Sequence, residues 1–123
     1  MKHVFSLPLL TIMLLFLTNS CEEPVNLPAV ITEITVSEIT ATTAKSGGTV
    51  TDDKGEEILE RGVCWSTTIN PTVKDSVTYN GVGVGAFISI LTNLIPNSTY
   101  YLRAYATNKS GTAYGNEISF KTL

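Results

Sequence analysis

The chain has 123 residues, a formal net charge of −3 and only 15% charged residues, against about 25% in an average soluble domain. That length holds one domain, and the acidic balance excludes the basic footprint of a nucleic-acid binder. The one histidine is His3, inside a leader-like segment. The rest of the chain therefore lacks the imidazole that Ser-His-Asp, Cys-His and histidine–metal sites require, and no metal or other cofactor is expected.

The chain opens with Lys2 and His3 and then runs without charge from Val4 to Leu17. This run is shorter than the ~20 apolar residues of a membrane-spanning helix. It matches the apolar core of a secretory signal, placed at residues 1–20. Thr18-Asn19-Ser20 then leads to Cys21. A cysteine just past such a run, with a small residue before it, resembles the lipobox of bacterial lipoproteins. That resemblance implies cleavage before Cys21 and a lipid on its sulfur. Thr18 and Asn19 depart from the usual lipobox residues. Cleavage near Ser20 by the ordinary signal peptidase, leaving a secreted protein, is the other reading. Glu22-Glu23 resembles the surface-export signal of some Gram-negative lipoproteins. Several acyl chains on one cysteine anchor stably, where a single chain does not. Residues 21–29, with Pro24 and Pro28, read as an extended tether.

Residues 30–123 read as strands with no helix, because Thr, Val, Ile and Tyr dominate and no 3.6-residue period is sustained. The first strand is expected over 30–36, with Val30, Ile34 and Val36 on one face. A second covers 44–51, softened by Gly47-Gly48, and a polar turn follows over 52–57. A third covers 58–66. Pro71 bars helix at Asn70, so 69–72 is a loop. A short edge strand covers 76–79, and Gly81, Gly83 and Gly85 mark a flexible connector. Strands over 86–91, 100–108 and 113–122 complete seven, at the spacing of an antiparallel sandwich.

The run Leu94-Ile95-Pro96-Asn97-Ser98-Thr99-Tyr100 resembles the Leu-x-Pro-x-(Ser/Thr)-x-Tyr entry to the penultimate strand of fibronectin type III domains. Tyr101 to Asn108 and then Gly111 continue the likeness. Arg61 to Thr67 and Asn70-Pro71-Thr72 resemble a bacterial subgroup found in surface lipoproteins. The resemblance spans about residues 30–123 and implies an all-β, seven-stranded antiparallel immunoglobulin-like sandwich. It also implies that the Tyr100 hydroxyl bonds back to the chain near Leu94 to Asn97. The tryptophan expected in the second strand is missing. Gly47-Gly48-Thr49-Val50 stands there, leaving Trp65 to supply the bulk.

Cys64, between Val63 and Trp65, has no histidine or thiol partner and reads as a small buried hydrophobe. Asp52, Asp53, Glu56, Glu57 and Glu60 lack the spacing of an EF-hand and read as a solvated turn. Asn97-Ser98-Thr99 and Asn108-Lys109-Ser110 are sequons, and Asp75-Ser76-Val77 resembles a bacterial O-glycosylation tripeptide. Alternation places Tyr101, Arg103 and Tyr105 together on the outer face of the penultimate strand. They form the candidate binding face, for a glycan or an envelope protein, against the plainer reading of sheet cover. Tyr114 falls on the inner face unless a bulge at Gly115 reverses it. Together these features point to a non-catalytic binding or adhesion module, with a structural spacer or envelope-complex subunit as the rival. The expected address is a bacterial outer membrane or cell surface, with the membrane contacted through the lipid on Cys21. Without that lipid the protein is secreted.

Overall fold

The computed structural model describes residues 25–123; the signal segment, Cys21 and Glu22-Glu23 lie outside the described residues. Eight strands run β1 (Ala29–Thr32), β2 (Ala44–Asp52), β3 (Glu60–Ser66), β4 (Ser76–Val77), β5 (Gly85–Leu91), β6 (Thr99–Asn108), β7 (Gly111–Tyr114) and β8 (Ile118–Lys121). They form two antiparallel sheets, β1-β2-β5 and β4-β3-β6-β7, with β8 also on β6. The core between them is built from alternate residues of the facing strands. Val50, Phe87 and Leu91 come from one sheet, and Val63, Trp65, Leu102, Ala104 and Phe120 from the other. This alternation is the period-2 geometry of strands with one face on a core.

Eight strands replace the expected seven because the last one is broken. Tyr105 pairs with Tyr114 and Leu102 with Ile118, so one extra residue lies between β7 and β8. The bulge puts Tyr114 on the outer face with Tyr105, while Ile118 and Phe120 face inward. A physical reason is visible in β1. The Ala104 N–H donates to the Thr32 hydroxyl at 2.9 Å, and the Thr32 N–H donates to Asn116 Oδ1 at 3.0 Å. The buried Thr32 thus enters the ladder at the break. A Cβ on Gly115 would lie 2.6 Å from the Thr32 hydroxyl oxygen, so the junction has no room for a side chain there.

The same contacts end β1 early. The expected strand over 30–36 stops at Thr32, and Ile34 is 75% exposed instead of inward. Past Thr32 the Glu33 N–H still donates to the Gly47 carbonyl at 2.9 Å, and the chain meets β2 again where Ser37 bridges Lys45. The glycine connector is held, not loose. Gly81, Gly83 and Gly85 take positive φ (90°, 86° and 110°), which glycine adopts without a Cβ clash. Arg61 reaches across and donates to the carbonyls of Asn80 (2.9 Å), Gly83 (3.1 Å) and Val84 (3.0 Å).

The corner at Tyr100 forms as expected. Its hydroxyl accepts the Ile95 N–H at 2.8 Å, and its ring stacks on Phe120 with centroids 5.8 Å apart. Tyr100→Phe keeps the ring but strands a half-buried amide. A loss of about 1–3 kcal/mol is expected in urea unfolding, the cost of an unpaired polar group.

Candidate functional site: a loop-walled cleft at one end of the sandwich

Strand directions define two ends. Asp52, Gly85, Asn108 and Gly111 lie at one; Ala44, Ser66, Leu91 and Thr99 lie at the other. The chain enters at the first end. Asn26 is tied there: its carbonyl accepts from Asn108 Nδ2 at 2.7 Å, and its N–H donates to Ser110 Oγ at 3.4 Å.

Tyr101, Arg103 and Tyr105 do share one face of β6, as alternation requires. They do not form an open platform. Tyr105 is 1% exposed, and its hydroxyl donates to the Thr78 carbonyl at 2.6 Å. Arg103 and Tyr101 are half-buried. The Arg103 guanidinium sits 4.0 Å from the Tyr114 ring centroid, and its Nε donates to the Pro71 carbonyl at 2.7 Å. The candidate face is therefore corrected at Tyr105, which no ligand reaches, and Arg103 is occupied by the chain itself. The loop between β3 and β4 lies over Arg103, and the chain after β4 lies over Tyr105. Alternation reports which side of a sheet a residue takes, not what later packs on that side.

That loop is held from below by side chains of its own sheet, on β6, on β7 and just before β8. Besides Arg103, Tyr114 accepts the Val73 N–H at 3.1 Å, and Glu117 accepts the Asn70 N–H at 2.5 Å. Asp75 closes the turn by accepting the Thr72 N–H at 2.8 Å. Pro71 is fully buried, and Asn70 takes φ 57°, a left-handed conformation that asparagine tolerates.

The loop forms one wall of a cleft of about 480 Å³ at the end away from Asn26. Lys74, Asp75 and Ser76 line this wall, Ser66 and Thr67 line the other, and Trp65 and Tyr100 lie at the floor. The two residues are 7% and 6% exposed, and the core holds almost all of their surface. Sequence reasoning missed this site. Its available signal was the polar loop closed by Pro71 and Asp75 directly after Trp65, but Tyr100 joins it only by folding.

Cys64 lies beneath the same loop, fully buried and opposite Arg103 in the ladder. Its thiol donates to the Arg103 carbonyl at 3.5 Å. Burial pushes the thiol up from 9.0 to about 11 despite the nearby Arg103. At neutral pH it is protonated and a poor nucleophile. The unfolded thiol ionises first, so stability is complete below about pH 9 and falls as pH rises toward 11. Burial also raises the Tyr105 hydroxyl above its usual 10, extending the same trend. Urea midpoints between pH 8 and 11 should fall, and less steeply in Cys64→Ala.

Among the described residues no group of three or more His, Cys, Asp or Glu side chains is placed to hold a metal ion. No described helix is long and apolar enough to cross a membrane.

No family model matches the chain, and no curated protein matches it. Solved structures do. The short form of the sensor domain of the anti-sigma factor RsgI4 in Pseudobacteroides cellulosolvens is 22% identical, with a TM-score of 0.56 over 78% of this chain and 94% of that one. The third fibronectin III domain of the human KIAA0343 protein is 17% identical, with a TM-score of 0.55 over 84% and 89%. The fibronectin type III domain of the human KIAA0970 protein is 20% identical, with a TM-score of 0.51 over 76% and 72%. Two antiparallel sheets, the corner at Tyr100 and these neighbours agree: the chain carries a fibronectin type III-like immunoglobulin sandwich.

Proposed function

We propose that this protein is a non-catalytic binding or adhesion module, held at a bacterial envelope or cell surface by a lipid on Cys21. The observation that carries the reading is the polarity of the sandwich. Only five chain steps separate Cys21 from Asn26, a reach of at most ~18 Å at about 3.6 Å per residue. A lipid on Cys21 therefore keeps the Asn26 end near the membrane. The cleft then faces outward, roughly 25 Å further along β6 at ~3.3 Å per residue. A module that presents such a cleft away from its anchor is arranged to meet something outside. The RsgI4 neighbour, described as a sensor domain, is compatible with such a recognition role.

The rival reading, a spacer or subunit of an envelope complex, draws on a different observation. Ile31, Ile88 and Ile90 are each more than half exposed on the outer face of the β1-β2-β5 sheet, and exposed apolar clusters mark contact surfaces.

Cys21→Ser should move the protein from the membrane fraction to the soluble fraction, with the melting transition unchanged. Intact-mass analysis should show acyl chains on the native protein. An unmodified Cys21 in the mature chain would refute the anchor. Glu22-Glu23→Ala should retain the lipid and reduce display on the cell surface.

A further inference from the structure

We infer that the outward cleft is a binding site for a neutral saccharide chain, a reading that rests on the binding-module proposal and gives it a ligand class. Three properties of the walls lead there. First, hydroxyls dominate the rim. Thr67 and Ser76 each offer a group that both donates and accepts, which suits a ligand carrying hydroxyls of the same dual character; Ser66, already bonded to Thr68, adds a third hydroxyl. Second, the charges cancel. Lys74 supplies donors and Asp75 acceptors from adjacent positions, so the site has no net charge with which to select a phosphate or a polyanion. Third, the floor is not a deep apolar pocket. Trp65 and Tyr100 line it but are under a tenth exposed. They leave no pocket for the large apolar anchor that protein hot spots use.

Shape and support agree with the chemistry. The cleft is open to solvent and not an enclosed cavity. Its loop wall is ordered in advance by Arg103 on Pro71, Tyr114 on Val73 and Glu117 on Asn70. A site whose wall is already held loses less entropy when a ligand arrives. Arg103 and Tyr114 thus act as positioning residues beneath the loop.

The chain contains a single tryptophan, and it is Trp65 at the floor of the cleft, so the native protein reports on its own site. The test is a fluorescence titration of the full chain in detergent micelles with neutral linear hexasaccharides of glucose, xylose, mannose and galactose. Polygalacturonate serves as the charged control. At least one neutral hexasaccharide should change Trp65 emission saturably. Lys74→Ala and Ser76→Ala, whose side chains form no hydrogen bond or ion pair among the described residues, should together weaken that response at least tenfold. The melting transition of the double variant should match the native one, which separates lost contacts from lost folding. The inference is overturned if no neutral hexasaccharide changes the emission or if only polygalacturonate does. It is overturned equally if the double variant binds as the native chain does. Membrane fractionation keeps the two proposals apart. A lipidated chain that ignores every saccharide removes this inference alone, and a saccharide-binding chain with a bare Cys21 removes only the anchor.

Discussion

Tyr105→Ala should destabilise the domain by about 3–5 kcal/mol, the range for emptying a buried aromatic site. For a domain of this size that is a fall of at least ~12 °C in the melting midpoint. Tyr105 is among the largest fully buried side chains. It stands opposite Gly62 in the ladder, and a Cβ on Gly62 would run into the Thr78 carbonyl. The ring is thus enclosed by β3 on one side and the chain after β4 above. Its hydroxyl donates to the Thr78 carbonyl at 2.6 Å, so the Ala variant loses that bond as well as the packing. Tyr105→Phe should cost only about 1 kcal/mol, the net worth of one hydrogen bond. Calorimetry of the two variants separates ring from hydroxyl. A Tyr105→Ala melt within 2 °C of the native one would contradict the burial and restore Tyr105 to the candidate binding face.

Gly48→Val should cost about 3 kcal/mol, the upper part of the usual range for overpacking a filled core. Gly48 faces inward beside Val50. A Cβ there would lie 2.6 Å from Ala104 Cβ, 2.7 Å from the Ile31 carbonyl oxygen and 3.1 Å from the Phe87 ring. One of these neighbours is backbone and another is a methyl carried on the opposite sheet, so neither can swing aside. This answers the missing tryptophan of the second strand. The place is not left for Trp65 to fill, because Val63 pairs with Ala104 while Trp65 pairs with Leu102, two residues further along. The small pair Gly48 and Ala104 lets the sheets approach, and Phe87 closes the space beside them. In Gly48→Ala the clash is smaller, and adding Ala104→Gly should recover part of the loss, since the residues are in contact and their effects couple. Full additivity in urea unfolding of the double variant would show that the two do not meet.

Composition and alternation alone determined the all-β class and most strand positions. They also determined the inward set Tyr100, Leu102, Ala104 and Ala106, all of which are buried. They work because a strand repeats every two residues and an apolar run that alternates can bury only one side. The resemblance of Leu94 to Tyr100 to a family motif located the corner: Tyr100 and Ile95 are five residues apart, so one short motif contains both partners of the bond. The buried thiol at Cys64 was legible for the same reason, lying in an apolar strand with no chemical partner nearby.

Contacts between residues distant in the chain were decided only by the tertiary structure. The break between β7 and β8 depends on Thr32 reaching Ala104 and Asn116, across 72 and 84 residues. The outer face of β6 looked open because its cover, the loop at Asn70–Asp75 over Arg103 and the chain at Thr78 over Tyr105, comes from another part of the chain. Alternation assigns a side chain to one of two faces, and nothing in the period tells whether water or a folded loop lies beyond it. The cleft follows the same rule. Its walls, Ser66-Thr67 and Lys74–Ser76, are near in sequence, but Tyr100 closes the floor from a different strand. A cavity is the space left between packed segments, so it exists only once their approach has been settled.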